Sequence, residues 1–409
     1  MATRELTDAR TIAGERRFAP SKPTPEPRAL IIEDGLSRHV VAAARGLAAG
    51  GWTVGIGSAT RGFSASSRAV ERWHEVPGAE ADLEGFVEGV TAAVEDGGYT
   101  VVFGARDVEA IALSQVRDRI PAIVPYPPHE VVLSSFDKLN LGQAAAAAGI
   151  ATPEPMTAVN PRLTPAGRVI VKARFHAVLD RPGSPPRIDG QAVTSVAARD
   201  RRVAEILGAG GLPLVQEHID GTLMSLTILL GPRGDLIARA QQEAELIYPP
   251  WIGVSVRATT VEVDRDLAAR AVVMLRDLGW HGLAQLQFLV PEDGVPRLID
   301  FNGRFYGSLA LAIAAGANFP ALWADAAIGR EAVPAEAAPG HRYQWLWGDL
   351  RRALVERRGG LARDLFATGR FAFGAAHSVW GVRDRSPVAR YIGARLRGGV
   401  SKALPAKQD

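Results

Sequence analysis

Gln285-Leu-Gln-Phe-Leu-Val290, a Pro-Glu-Asp-Gly turn, then Arg297-Leu-Ile-Asp-Phe-Asn-Gly-Arg-Phe-Tyr-Gly-Ser308: this stretch reads as two strands joined by a turn over 291–294. On the second strand Asp300, Asn302 and Arg304 alternate. Side chains two apart on a strand share a face, so a carboxylate, an amide and a guanidinium point the same way. Gln287, if paired opposite, faces them. Hard oxygen donors of this kind suit Mg²⁺, which takes one or two protein ligands and completes its shell with phosphate oxygens and water. A guanidinium beside it suits phosphate or carboxylate. Taken alone, the string reads more readily as an edge strand with a polar solvent face.

Outward from this stretch, the composition narrows the choices. The 409 residues are enough for two or three domains. There is no cysteine, which excludes disulfides, thiolate metal sites and a cysteine nucleophile, and fits a cytoplasmic protein. No apolar run is long enough for a transmembrane helix. From His341 onward there are 14 Lys and Arg against 5 Asp and Glu, a net +9, which leaves about −6 for the preceding chain. The basic end could give weak peripheral contact with an anionic membrane; a solvated Arg-rich helical end is the plainer reading. The mildly acidic main body, with no basic stripe carrying interleaved aromatics, argues against nucleic acid. None of the eight histidines has zincin or triad spacing, so no hydrolase is read.

Taken in order, residues 1–27 are polar and Pro-rich and are expected to be disordered. From 28 to about 130, short apolar strands alternate with helices (strands at 28–33, 52–57, 100–103 and 122–124; helices at 38–49, 83–95 and 108–116), which predicts a small doubly wound parallel sheet. Its first turn, Glu-Asp-Gly-Leu-Ser-Arg, lacks a dinucleotide fingerprint. Ser67 and Arg68 fall in a loop. Asp137 and Lys138 open a helix through Ala148. The strand 169–173 carries Lys172 within an apolar run, where a lysine must snorkel or meet an anion. Residues 174–190 fit a flap. A strand at 214–219 runs into a turn, and strands at 225–230, 236–242 and 255–261 predict an antiparallel meander, followed by a helix at 265–278. Helices are expected at 349–356, 362–366 and 388–396.

The order of these pieces resembles the ATP-grasp superfamily, nearest to its carboxylate–amine ligases and the carbamoyl-phosphate synthase large-chain branch. The carriers are Asp137-Lys138 opening a helix that ends in Gly-Ile-x-x-Pro, Val-Ile-Val-Lys172, Leu-Val-Gln-Glu-His-Ile-x-Gly, and Ile-Asp-Phe-Asn-Gly-Arg. The likeness covers roughly residues 134–329. It implies an α/β fold: a Rossmann-like pre-ATP-grasp sheet (28–130), a two-subdomain ATP-grasp domain (131–335, lid about 150–220) and a basic, mostly helical C-terminal extension (336–409). It implies ATP and Mg²⁺, with Mn²⁺ as an alternative, and small-molecule carboxylate and amine substrates. It also implies a homodimer. By resemblance Lys138 and Lys172 hold ATP phosphates, and Gln216, Glu217, His218 and Ile219 form the hinge that reads adenine. Gln287, Asp300 and Asn302 bind the metal, Arg304 and Lys172 act on the transferring phosphoryl group, and Ser308 donates to a substrate oxyanion.

Several residues depart from the pattern. Gln287 stands where many relatives have Glu, and Asp300 replaces a commoner Glu. The Gly-rich flap is missing, so Arg174 or His176 is expected to cover the phosphates. Leu223 and Met224 stand where a ribose-binding Glu is common. Trp251 and Arg257 are candidate substrate contacts, with packing and solvent exposure as their plainer readings. The expected function is an ATP-dependent carboxylate–amine ligase acting through an acyl phosphate. Carboxyphosphate formation from bicarbonate, and a non-catalytic nucleotide-binding module docking through its basic end, are the alternatives.

Overall fold

A computed structural model of the chain describes residues 26–156, 167–175, 189–249 and 253–397. The expectations for residues 1–25, for His176 and most of the flap, and for Trp251 lie outside the described residues.

The first unit is a parallel sheet. β1 (Arg28–Ile32), β2 (Thr53–Ser58), β3 (Arg72–Glu75) and β4 (Val101–Gly104) lie in the order β3-β2-β1-β4. α1 (Arg38–Ala49) runs between β1 and β2 and buries Val40, Val41, Ala42, Ala43, Ala44, Gly46 and Leu47, so that it is covered nearly all round. α2 (Leu83–Gly97) starts where the Asp82 side chain accepts from Gly85 N and stops at Gly98, whose φ of 62° ends the helix at little cost. α3 (Asp107–Gln115) follows β4. The chain builds outward from β1 through β2 to β3, then returns to place β4 on the other side of β1. The loops after β1 and β4 therefore part and open a crevice at the carboxyl ends of those strands. The strand expected at 122–124 is a single bridge, Ile123 to Val101. Pro121 and Pro125 flank it and have no N–H to extend a ladder.

Two short helices, α4 (His129–Phe136) and α5 (Lys138–Ala147), lead to a small antiparallel sheet. It holds β5 (Pro155–Met156), β6 (Val169–Ala173), β7 (Gln191–Val193) and β8 (Pro213–Glu217), ordered β5-β8-β6-β7, with α6 (Val196–Gly208) packed on it. Val169, Val171 and Ala173 face inward with Ile206 and Val215 as their own core. Strand alternation therefore turns Lys172 to the opposite face.

The large sheet follows, built from β9 (Thr222–Leu230), β10 (Leu236–Tyr248), β11 (Val254–Val261), β12 (Gly282–Val290) and β13 (Arg297–Asn302), with α7 (Arg265–Asp277), α8 (Leu309–Ala314) and α9 (Phe319–Ala327). β9, β10 and β11 form the antiparallel meander that the turns predict. The C-terminal segment joins the same sheet. β14 (Ala335–Glu336) runs beside β10, β15 (Arg342–Gln344) pairs with β11, and β16 (Ala375–Ala376) pairs with β15. α10 (Leu346–Glu356), α11 (Leu361–Ala372) and α12 (Ser386–Arg397) complete it.

The basic end is helical and most of its arginines, Arg357, Arg358, Arg363, Arg370 and Arg390 among them, are exposed as a solvated end would have them, but part of it is drawn into the fold. Arg352 is fully buried among Asp349, Asp364 and Glu356, and Asp384 binds Arg45 and the Ser67 hydroxyl in the first unit. The Ser67–Arg68 loop is thus occupied by protein. Phe103, Phe305 and Trp323 stack within 4.8–5.6 Å, so the parallel sheet and the large sheet share one core. Among the described residues no helix is long and apolar enough to cross a membrane.

Candidate active site

Between the small sheet and the large one, three sequence-named residues meet. Lys172 Nζ donates to the Ile299 carbonyl at 2.9 Å, and Lys138 Nζ lies 3.6 Å from Asp300 Oδ1. Burial, together with the charge of Lys138, pushes the Lys172 ammonium down to about 7, against a smaller opposing pull from Asp300. Asp137 brings the two lysines together. Its carboxylate caps α5 through Leu139 N and grips the Arg174 guanidinium at both nitrogens, while Lys138 N donates to Arg174 O. Arg174 is therefore committed to this clasp rather than offered to a ligand.

Asp300 continues into a cleft of about 340 Å³ at the crevice of the parallel sheet. Its floor is set by strand register. Gln287 lies opposite Asp300 and beside Ser225, and Gln285 lies opposite Asn302, whose Nδ2 donates to Gln285 Oε1 at 3.2 Å. Gln242 Nε2 donates to Ser308 Oγ at 2.8 Å. Arg304 is buried; its Nε donates to Asp107 Oδ1 at 2.8 Å, which ties the loop after β13 to the start of α3. The far wall comes from the loops after β1 and β4: Asp34, Ser37, Arg38 and His39, with Arg106, Asp107 and Val108. Arg106 lies among Glu109, Glu80 and Asp34. Burial pushes the Glu33 carboxyl behind them up to about 8, against the hydrogen bond that it accepts from Ser64. Burial and the nearby Arg304 push His39 down to about 3. The neutral ring must donate from Nε2 to the Ala105 carbonyl, 2.8 Å away, because that oxygen only accepts. Nδ1 is left as an acceptor.

Residues 213–348, about a third of the chain, match the family model described as ATP-grasp in the biosynthetic pathway with Ter operon. Among solved structures the chain is similar to the biotin carboxylase domain dimer of Hydrogenobacter thermophilus 2-oxoglutarate carboxylase, in complex with MgADP, ADP and bicarbonate (TM-score 0.58, 11% identity, 78% of this chain and 73% of that one). The fold is ATP-grasp. The chain is also similar to the ADP complex of N5-carboxyaminoimidazole synthetase from Staphylococcus aureus (TM-score 0.56, 13% identity, 76% and 79% coverage). A third similar structure is the L-amino acid ligase from Bacillus licheniformis (0.55, 16%, 74% and 75%). No curated protein matches the sequence.

Within the ATP-grasp frame the other named residues separate. Gln216 and Glu217 end β8, and His218 and Ile219 lie in the short link to β9, so 216–219 join the lid sheet to the large sheet. Glu217 N donates to Glu154 O. Ser308 lines the cleft, but the helix after it has six residues and offers only a weak N-terminus. Arg257 is a correction. It is not among the cleft's lining residues: its Nε donates to Asp349 at 2.6 Å, its Nη2 to Thr368 at 3.1 Å, and its plane lies over Phe371. The exposed or substrate-facing arginine expected from sequence is a brace for the C-terminal helices.

Asp300, Asn302 and Gln287 present one carboxylate and two amides. Among the described residues no trio of His, Asp or Glu is placed to hold a metal by itself. Such a sparse oxygen set fits Mg²⁺, which draws most of its shell from phosphates and water, and does not fit zinc. The sequence reading missed Gln242, Gln285, Arg38, His39, Arg106 and Asp107. The only available signal was position, since four of the six follow the first and fourth strands of a parallel sheet.

Proposed function

We propose that the protein is an ATP- and Mg²⁺-dependent carboxylate–amine ligase. The observation that carries the reading is the meeting of Lys138, Lys172 and Asp300 between the lid sheet and the large sheet of an ATP-grasp fold, at one end of a polar cleft. A carboxylate oxygen of the substrate attacks the γ-phosphorus of ATP, the bond from that phosphorus to ADP breaks, and an acyl phosphate forms. An amine then attacks its carbonyl carbon, and inorganic phosphate leaves as the amine sheds a proton. Asp300 with Asn302 and Gln287 would hold Mg²⁺, which would supply charge neutralisation on the phosphates. Lys138 and Lys172 bind phosphate oxygens as point charges. Arg304, fixed by Asp107, steadies the acyl phosphate from the side of the parallel sheet. Ser308 and Gln242 offer hydrogen bonds to the substrate end of the cleft.

The test is ADP release by the full chain with Mg-ATP and pooled carboxylates and amines. Release that depends on both a carboxylate and an amine, and that vanishes in Asp300→Ala and Arg304→Ala, supports the ligase. Release that responds to bicarbonate alone replaces it with carboxyphosphate chemistry. Turnover that is intact in Asp300→Ala removes Asp300 from the metal site.

A further inference from the structure

Arg38 is the first residue of α1 and lines the cleft. Its guanidinium lies over the Trp345 ring, 4.1 Å from the centroid. Among the described residues it makes neither an ion pair nor a side-chain hydrogen bond, and its Nε is buried without a partner. The other cleft arginines are spent, Arg304 on Asp107 and Arg106 on Glu109, Glu80 and Asp34. Arg38 is half-buried, and a buried guanidinium N–H left without an acceptor is costly unless a ligand supplies one. Its orientation is built, not incidental. Trp345 N donates to the Val256 carbonyl and Trp345 Nε1 to Tyr391 Oη at 3.2 Å, while the Tyr391 ring meets Phe63 edge-on at 5.0 Å. Stacking on one face leaves the in-plane N–H groups of a guanidinium available, the geometry that grips two oxygens at once. On its other side Arg38 crowds Gly307, where any Cβ would strike Nη2. The anion held there therefore lies beside the loop that carries Ser308.

We propose that Arg38, shelved on Trp345, is the substrate-binding residue that holds a carboxylate of the ligase's substrate. The inference rests on the ligase reading of the cleft. A carboxylate is favoured over a phosphate because Asp34 and Asp107 on the same wall are matched by Arg106 and Arg304, which leaves Arg38 as a single uncompensated positive charge for a single negative one. Trp345 is a positioning residue, and it gives the C-terminal segment a part in the site.

The test is direct binding, without turnover, by the full chain in the presence of a non-hydrolysable ATP analogue and Mg²⁺. Propionate, succinate and inorganic phosphate are titrated by calorimetry. At least one carboxylate is expected to bind more tightly than phosphate. Arg38→Met is expected to weaken it about 10- to 100-fold, the range of a lost charge-assisted hydrogen bond. Arg38→Lys, which keeps the charge but not the fork, falls between. Trp345→Leu weakens carboxylate binding and Trp345→Phe preserves it, while analogue affinity is unchanged in all four variants. Carboxylate binding equal in wild type and Arg38→Met, tighter binding of phosphate than of either carboxylate, or no carboxylate binding by wild type overturns the proposal. Arg38-dependent carboxylate binding without ADP release in the pooled assay would instead sink the ligase reading and leave this site standing.

Discussion

Lys172 is a cation placed where a cation is poorly tolerated, and that has measurable consequences. Its folded value of about 7 lies below the ordinary lysine value, so between about pH 7 and the unfolded lysine value near 10.5 the unfolded chain holds a proton that the folded chain has shed. Stability contributed by this group therefore rises with pH across that window. Wild type is expected to gain melting temperature relative to Lys172→Met as pH is raised from 7 to 10, and parallel curves would refute it. A polyphosphate favours the charged form, so nucleotide binding should take up a proton. Affinity for ATP is then expected to fall as pH rises above 7 in wild type but not in Lys172→Met. Calorimetry in buffers of different ionisation enthalpy reads the proton directly. Lys172 was legible from sequence because a lysine in a β-branched run is conspicuous. Arg38 was not, because its meaning lies in Trp345 and in the absence of a carboxylate partner, and neither is visible along the chain.

At the scale of the element, the hairpin of β12 and β13 holds most of the catalytic reading, and Gly303 at its end is under close constraint. A Cβ there would collide with Trp280 and come within 2.8 Å of Phe136. Gly303→Ala is expected to cost about 1–3 kcal/mol by overpacking and to displace Asn302 and Arg304 on either side. Urea unfolding would read the first effect, and a matching loss of ADP release the second. The pairing of Gln287 with Asp300 was readable because strand alternation and a short turn fix both face and register. α4 and β3 escaped the sequence reading: β3 is four residues, mostly polar, and α4 buries only Val132, Ser135 and Phe136. Neither gives a periodic signal long enough to stand above a loop. Asp137 was read as a helix opener, but its second task, gripping Arg174 across the lid, needed the fold. Asp137→Ala is expected to release the lid strand from α5, with ATP affinity falling more than substrate affinity in titrations of each.

For the molecule as a whole, the C-terminal segment is structural. Arg352, itself fully buried, meets buried Asp349 and Asp364 and half-buried Glu356, and Asp349 also holds Arg257 of β11. Removing one partner strands its counter-charges, so Arg352→Leu is expected to destabilise by roughly 3–5 kcal/mol. A shift of the urea midpoint at unchanged slope would show it, and an unchanged midpoint would contradict it. Salt is expected to change little, because these pairs are shielded from counter-ions. Arg257 finds Asp349 92 positions along the chain, which sequence alone does not show, whereas the Arg352 partners lie only 3, 4 and 12 positions away.

The grip of Asp384 on Arg45 and Ser67, with Trp345 laid over Arg38, also imposes an order in time. During synthesis the parallel sheet, Lys138 and Lys172 emerge well before α12. A nascent chain therefore lacks the Trp345–Tyr391 shelf and the Asp384 latch while its lysines are already made. The Trp345–Tyr391 shelf and the Asp384 latch are therefore the last of these contacts to form, after the parallel sheet and the β12–β13 hairpin have left the ribosome.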